Sequence, residues 1–234
     1  MSLHFQNKSK LVNSVFSEVY QKYDLMNDIM SLGVHRLWKK NLIKWMKPAD
    51  DASLIDVASG TGDIAKLFNE KILKKSKIVC VEPNTSMMNL GKKNLKNFKN
   101  IQWVQASAEN LPFKDESFDY YTISFGIRNV TSISKSLNEA NRVLKIGGRF
   151  MCLEFSKVEN ELLQYFYNYY SKGIPLIGKY IVGNSKPYKY LIESIEKFPS
   201  QIKFKNMIEE QGFEDVQFRN LSNGIAAIHS GWKI

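Results

Sequence analysis

The sequence is poor in the residues that hold metals and disulfides, with two cysteines and three histidines in 234 residues. His4, His35 and His229 stand far apart, and no metal-ligand spacing joins them to the cysteines, so no metal site is expected. Cys80 and Cys152 sit in the apolar runs IVCVE and FMCLEF, where a small thiol reads as core rather than as half of a disulfide. No run of 18 or more apolar residues occurs, which excludes a membrane-spanning helix. The start, MSLHFQNKSKLVNSVF, lacks the basic end, apolar middle and small-residue cleavage site of a secretory signal. A cytoplasmic location is the expectation. Arginine-rich blocks and aromatic-interleaved basic stripes are missing as well, so no nucleic-acid partner is expected. Internal repeats and low-complexity tracts are also lacking.

What is present is a globular composition, 44% hydrophobic, with a formal charge of +10. The lysines are scattered, as in KKNLIKWMK and GKKNLKNFKN, and read as a solvated surface. Contact with an anionic membrane face and RNA binding remain alternatives for that charge. Residues 9–46 carry apolar positions three and four apart and predict two helices broken near Ser31–Gly33. From Ser53 the pattern changes to short apolar runs at 53–57, 78–82, 101–104, 119–123 and 149–155. Helical segments are predicted between them at 62–73, 85–93 and 131–144. This alternation predicts an α/β fold, a mostly parallel sheet with helices on both faces. The tyrosine-rich stretch 156–200 interrupts it, with helices expected near 159–171 and 187–197. A helix at 201–211 ending at Gly212, then strands near 214–219 and 225–229 turning through Ser222–Asn223–Gly224, complete the chain.

The sharpest local signal is LIDVASGTGDIAKLF. A strand ends at Asp56–Val57, and the turn Ala58–Ser59–Gly60–Thr61–Gly62 feeds a helix. Glycines there let backbone approach a ligand closely. The turn only partly matches a dinucleotide fingerprint, and Asp56 and Asp63 flank it. Two carboxylates disfavour a pyrophosphate and suit a cationic sulfonium with its ammonium group. The next strand ends in Glu82, 20 residues past Gly62, where an acid can accept both ribose hydroxyls. Pro83 follows it. The loop after the third strand offers Ser107 and Ala108 to a base edge. Met87 and Met88 are core filler or base contacts. The fourth strand runs into TISFGIRNV and hangs Ser124, Arg128 and Asn129 over its carboxyl end, the usual ligand side of an open α/β sheet.

Longer segments then make a resemblance specific. They are VFSEVYQKYDLMNDIMSLGVHRLWK at 15–39, DVASGTGD at 56–63, ISFGIRNV at 123–130, RVLKIGGRFMCLEFSK at 142–157, YKYLIESIEKFP at 188–199 and GFEDVQFRNLSNGIAAIHSGWK at 212–233. The chain resembles the class I S-adenosylmethionine-dependent methyltransferases and, more narrowly, the ubiquinone/menaquinone biosynthesis C-methyltransferase family. The resemblance implies a Rossmann-like fold with a seven-stranded, mostly parallel sheet. It implies S-adenosylmethionine as cofactor, with Thr61, Glu82, Ser107, Ala108 and Ser124 at positions that hold it. The implied substrate is a polyprenylated quinol, demethylmenaquinol or 2-polyprenyl-6-methoxy-1,4-benzoquinol or both, methylated on a ring carbon. The implied location is cytoplasmic, peripheral at the inner membrane face, with transient membrane contact. A homodimer or a complex of quinone-biosynthesis enzymes stays open. Glu82 replaces the family's usual aspartate, Ser59 a glycine, Ser107 an asparagine, Ile146 a proline and Pro187 a serine.

Within one domain spanning 1–234, residues 1–48 are assigned to an N-terminal helical substrate cover and 53–155 to the cofactor-binding core. Residues 156–200 form a helical substrate-side insertion, and 201–234 the terminal helix and hairpin. Phe16, Tyr20, Tyr23, Met26 and Met30 from the first part are expected to form the quinol wall with Phe166, Tyr169, Tyr170, Ile174, Leu176, Ile177, Tyr188 and Tyr190 from the insertion, with plain packing of the helices against the sheet as the alternative. Gly173, Gly178 and Gly183 would let the insertion move as a cover. Tyr190 is the strongest single candidate for orienting the ring oxygen. Arg128 and Asn129 face the acceptor on this reading, Arg128 stabilising the phenolate, with a salt bridge that holds the loop as the alternative. Glu154 positions the acceptor or anchors the strand. A nicotinamide oxidoreductase would need a fuller GxGxxG turn and a hydride-transfer partner, and neither is found. An RNA methyltransferase acting on adenine nitrogen would carry an Asn/Asp-Pro-Pro-aromatic loop where this chain has ISFGIRN. Another small-molecule or RNA methyltransferase, and a non-catalytic RNA- or membrane-binding module, remain the alternative functions.

Overall fold

Strand β1 (Leu54–Val57) is buried along its whole length, as an apolar run must be when helices cover both faces of a parallel sheet. It pairs in parallel with β2 (Ile78–Val81) on one side and β4 (Phe118–Ser124) on the other. β3 (Ile101–Val104) and β5 (Leu144–Phe155) extend the sheet outward, again in parallel. β7 (Ala226–Trp232) then adds antiparallel to β5, and β6 (Glu214–Leu221) antiparallel to β7. The order among the described residues is β3-β2-β1-β4-β5-β7-β6, a seven-stranded, mostly parallel sheet. The chain leaves β1 toward β2 and β3, then returns to its other side, so the order reverses at β1 and β4. A crevice opens there, beyond their carboxyl ends. The computed structural model describes residues 33–72, 76–158 and 186–234, and before them residues 8, 10, 12–15, 17, 20, 25, 27, 28 and 31.

Side chains alternate across each strand, so the sheet separates two cores. Leu54, Ile78, Cys80, Met151, Leu153 and Ile228 face one side. There they meet Trp38, Leu42 and Met46 of α1 (His35–Met46), Phe68 of α2 (Asp63–Lys71), and Leu191 and Ile195 of α5 (Lys186–Lys197). Ile55, Val57, Val79, Tyr121, Phe150 and Cys152 face the other side, against Leu137 and Ala140 of α4 (Ile133–Val143) and Phe204 and Ile208 of α6 (Gln201–Glu209). Both cysteines are free and buried. Burying each large apolar side chain contributes about 1.5–3 kcal/mol of transfer free energy.

Local chemistry sets the element ends. Ser132 and Ser200 cap α4 and α6 by accepting backbone N–H groups, and Asn84 caps α3 (Thr85–Asn94) by accepting from Met87. The helix expected from 62 begins one residue later, because Gly62 sits at φ 88 as its N-cap. The helix expected to reach 211 ends at Glu209, and the Gly212 amide closes the turn on the Glu209 carbonyl. The fifth strand begins at Leu144 rather than 149, because Gly147 and Gly148 exchange backbone hydrogen bonds with Lys233 beyond the end of β7. The expected hairpin forms through Ser222–Gly224, with both strands longer than the apolar runs suggested. The break before α1 falls at Gly33, φ 78. The helix expected near 159–171 lies outside the described residues.

Candidate functional site

The turn after β1 is built from backbone that ordinary residues resist, with Ala58 at φ 51, Gly60 at 57 and Gly62 at 88. It is pinned to β2 by the Ser59 amide, which donates to the Val81 carbonyl at 3.1 Å. A Cβ at Gly62 would lie 2.5 Å from Leu95 Cδ1 and 3.2 Å from Trp103 Cζ2. The missing side chain of Gly62 lets the turn seat against Leu95 and Trp103. Gly126 does the same from the β4 side, where a Cβ would come within 2.5 Å of Ala58 Cβ.

Glu82 joins the turn to the second strand. Its Oε2 accepts from the Gly60 amide and its Oε1 from the Asn84 amide, both at 2.9 Å. Burial pushes its carboxyl up to about 7 against those two hydrogen bonds. A cleft opens beside it, lined by Ala58, Gly60, Glu82, Pro83, Ser107, Ala108 and Asn129. These are seven of the residues singled out from sequence. Met87 joins them, and Met88 is buried outside the cleft lining. Glu109, Thr131 and the N-terminal Val12 and Asn13 also line this cleft and were missed. Glu109 accepts from the Thr131 amide and hydroxyl at 2.6 and 2.7 Å. Asn84 Nδ2 reaches Asn13 Oδ1 at 3.0 Å and Ser17 Oγ at 2.9 Å, and Lys8 Nζ donates to the Val130 carbonyl at 2.6 Å. These bonds tie the N-terminal segment to the rim. No local pattern announces pairs so far apart in sequence.

A second crevice shares the walls Ala58, Gly60 and Phe125 with the first, and is lined further by Lys39, Asp56, Thr61, Asp63 and Ser124. Asp56 follows Leu54 by two positions and so faces the α1 side of the sheet. Its Oδ1 accepts from Thr122 Oγ1, its register partner on β4, at 2.7 Å. Its Oδ2 and Ser124 Oγ are buried without a hydrogen-bond partner. Burial pushes the Asp56 carboxyl up to about 7, with the Thr122 hydrogen bond and the Lys39 charge opposing. Asp63 is held by Lys39 Nζ at 2.6 Å.

Four residues were assigned to the acceptor. Arg128 and Glu154 do not present their side chains to the cleft. Each is 1% exposed, and Arg128 Nη1 donates to Glu154 Oε1 at 2.5 Å and to the Phe125 carbonyl at 2.7 Å. The expectation that Arg128 meets the acceptor is corrected to the salt bridge that holds the loop, and Glu154 is its anchor. Burial raises the Glu154 carboxyl, countered first by the Arg128 charge. Asn129 does line the cleft, and Tyr190 OH donates to Asn129 Oδ1 at 3.0 Å, joining residues 61 positions apart. Burial raises the Tyr190 phenol, with Arg128 opposing. Of the expected aromatic wall, Phe16, Tyr23, Met26, Met30, Phe166, Tyr169, Tyr170, Ile174, Leu176 and Ile177 lie outside the described residues, as do Gly173, Gly178, Gly183 and the side chain of Tyr188.

The two described histidines are structural. His35 Nδ1 pairs with Ser31 Oγ at 3.0 Å, and His229 Nε2 with the Gln201 carbonyl at 3.0 Å. Burial lowers both to about 4. No group of metal-binding side chains occurs among the described residues.

The profile of the ubiE/COQ5 methyltransferase family matches residues 4–233. A "Ubiquinone/menaquinone biosynthesis C-methyltransferase UbiE" of Rickettsia bellii is 53% identical over 238 residues, covering 97% of this chain and 94% of the relative. The protein of that name from Brucella anthropi is 52% identical over 235 residues, covering 97% and 89%. Among solved structures, a SAM-dependent methyltransferase of Thermotoga maritima superposes with TM-score 0.69 at 22% identity, over 95% of this chain and all of that one. Haemonchus contortus phosphoethanolamine N-methyltransferase 2, solved with S-adenosylhomocysteine, gives 0.63 at 12% identity, over 84% of this chain and 52% of that one. At such identities the structural matches speak for the fold alone.

Proposed function

The chain belongs to the ubiE/COQ5 methyltransferase family, and from that premise we propose that it methylates a ring carbon of a polyprenylated quinol, demethylmenaquinol or 2-polyprenyl-6-methoxy-1,4-benzoquinol or both. It is an S-adenosylmethionine-dependent methyltransferase. The observation that carries the site assignment is a pair of buried carboxylates, Asp56 and Glu82, at the ends of adjacent parallel strands, flanking connected crevices. The cofactor's chemistry fits them. Glu82 keeps lone pairs for the ribose hydroxyls, and the unpartnered Asp56 Oδ2 suits an ammonium group. Ser107, Ala108 and Met87 wall the base side, while Thr61 and Ser124 line the aminoacyl side. When bound, the cofactor supplies an electrophilic methyl group on a sulfonium.

The chain's own contribution is placement and polarity at the acceptor. A quinol carbon becomes a better nucleophile as the neighbouring oxygen loses its proton. Tyr190 donates its proton to Asn129, so its oxygen lone pairs are left to accept from the quinol hydroxyl. Arg128, neutralised by Glu154, holds Asn129's turn under that pair. Val12 and Asn13 of the N-terminal segment line the cleft, where they would help to exclude water from the acceptor. Lys40, Lys44, Lys47 and Lys71 ring a surface crevice around Ile43 and Leu67, and Leu37 of the same helix is 58% exposed. That face supports transient, salt-sensitive contact with an anionic membrane, where the protein would take its substrate from the cytoplasmic side. Among the described residues no helix is long and apolar enough to cross a membrane.

The test is transfer of radiolabelled methyl to short-tailed demethylmenaquinol, short-tailed methoxybenzoquinol and RNA. Label enters a quinol and not RNA. Tyr190→Phe lowers turnover about tenfold, as the loss of one hydrogen bond of about 1.4 kcal/mol would, and leaves S-adenosylhomocysteine affinity unchanged. Label in RNA alone, or in none of the three, refutes the assignment.

A further inference from the structure

α1 carries Lys39, Lys40 and Lys44 along two turns, followed by Lys47 at its C-cap. Lys40, Lys44 and Lys47 are exposed, as a solvated helix face requires, while Lys39 is buried. Taking an ammonium group out of water is costly unless something charged meets it there. Its partner Asp63 is 41% exposed and would be well solvated alone, so the pair gives little reason to bury the cation. An ammonium group has three donors, and the hydrogen bond described for Lys39 uses one of them.

The crevice it faces explains the burial better. Lys39 lines it together with Asp56 and Ser124. Asp56 Oδ2 and Ser124 Oγ are both buried without partners. The crevice thus holds a cation with donors to spare and an anion with an acceptor to spare. That is the complement of a zwitterion, an ammonium group and a carboxylate on one carbon. The crevice opens into the cleft beside Glu82 through the shared walls Ala58, Gly60 and Phe125, so one ligand can carry a nucleoside in one and an amino acid in the other.

Resting on the cofactor assignment above, we propose that Lys39 binds the α-carboxylate of the cofactor's aminoacyl end, opposite Asp56 at its ammonium. The helix before the sheet then belongs to the cofactor site as well as to the substrate cover. Lys39 also gives the site a preference for nucleosides that carry the carboxylate, while those that lack it keep whatever affinity the nucleoside cleft alone provides.

Calorimetric titration separates the two ends of the ligand. S-adenosylhomocysteine carries the amino acid, and 5′-methylthioadenosine lacks it. Lys39→Met is expected to weaken S-adenosylhomocysteine binding about tenfold to a hundredfold, the loss of a charge-assisted hydrogen bond, and to leave 5′-methylthioadenosine unchanged. Lys39→Arg should keep most of the preference. An equal loss for both ligands, or none for either, overturns the proposal. A second measurement needs no variant: the wild-type protein should prefer S-adenosylhomocysteine over its carboxamide by a similar factor. Equal affinity for acid and amide overturns it whether or not Lys39→Met folds. Wild-type protein that binds neither nucleoside would sink the cofactor assignment itself, a different failure from a lost preference.

Discussion

Cofactor binding should release protons near neutral pH. The perturbation is a pH change from 6 to 8, with Asp56→Asn as its control. Asp56 and Glu82 are both held up to about 7 by burial in the free protein. Each carboxyl is therefore about half protonated at pH 7. A ligand ammonium at Asp56 and ribose hydroxyls at Glu82 favour the ionised forms, so binding expels roughly half a proton from each, about one in all. Between pH 6 and 8 the ionised fraction of one such group rises about tenfold. Affinity for S-adenosylhomocysteine should then rise up to roughly a hundredfold, and for adenosine, which reaches only Glu82, roughly tenfold. Titrations in buffers of different ionisation enthalpy count the protons directly. Asp56→Asn should remove about half of the release and weaken S-adenosylhomocysteine more than adenosine. The same shifts act on stability. Each folded pKa lies above its unfolded value near 4, so the unliganded protein loses these contributions as pH rises toward and through 7. His35 and His229 act oppositely at lower pH: depressed to about 4, they cost stability as pH falls from 6.5 toward 4. The carboxylates are therefore read most cleanly between pH 6.5 and 8. Affinity independent of pH, with no buffer dependence of the heat, would refute the reasoning, and so would proton uptake.

Two further substitutions probe the scaffold. Gly126→Ala places a Cβ 2.5 Å from Ala58 Cβ and 3.2 Å from Ile123 Cγ1. It should cost about 1–3 kcal/mol in urea unfolding and weaken S-adenosylhomocysteine, because the strained turn must shift; unchanged values for both refute the packing argument. Arg128→Met leaves Glu154 buried without its counter-charge and should cost about 3–5 kcal/mol, most of it recovered by the double change Arg128→Met with Glu154→Leu. A single-variant loss under about 1 kcal/mol would show that the pair does not hold the loop.

Much of the frame was legible because its causes are local. Buried parallel strands need short apolar runs such as Leu54–Val57, and covering helices need apolar positions three and four apart. The turn at 58–62 needs residues that tolerate positive φ, and the sequence supplies glycine at two of its three left-handed positions. Glu82 could be placed beside that turn because parallel neighbours in a βαβ unit end on the same edge.

The pairing of side chains was a different matter. That Asp56 faces α1 depends on which face of β1 that helix covers. That Lys39 meets Asp63, Arg128 meets Glu154, Tyr190 meets Asn129 and Asn84 meets Asn13 depends on how separate elements dock. Arg128 shows the consequence: its position after β4 suggested a group aimed at the acceptor, and the buried Glu154 on the neighbouring strand claimed it instead. Local sequence determines where the chain turns and which face of an element is apolar, because those preferences reside in the residue and its near neighbours. Whether a buried charge is spent on another charge or left for a ligand was decided only by the tertiary structure. Over the few ångströms of a hydrogen bond, that outcome depends on register and docking between segments tens to more than a hundred residues apart.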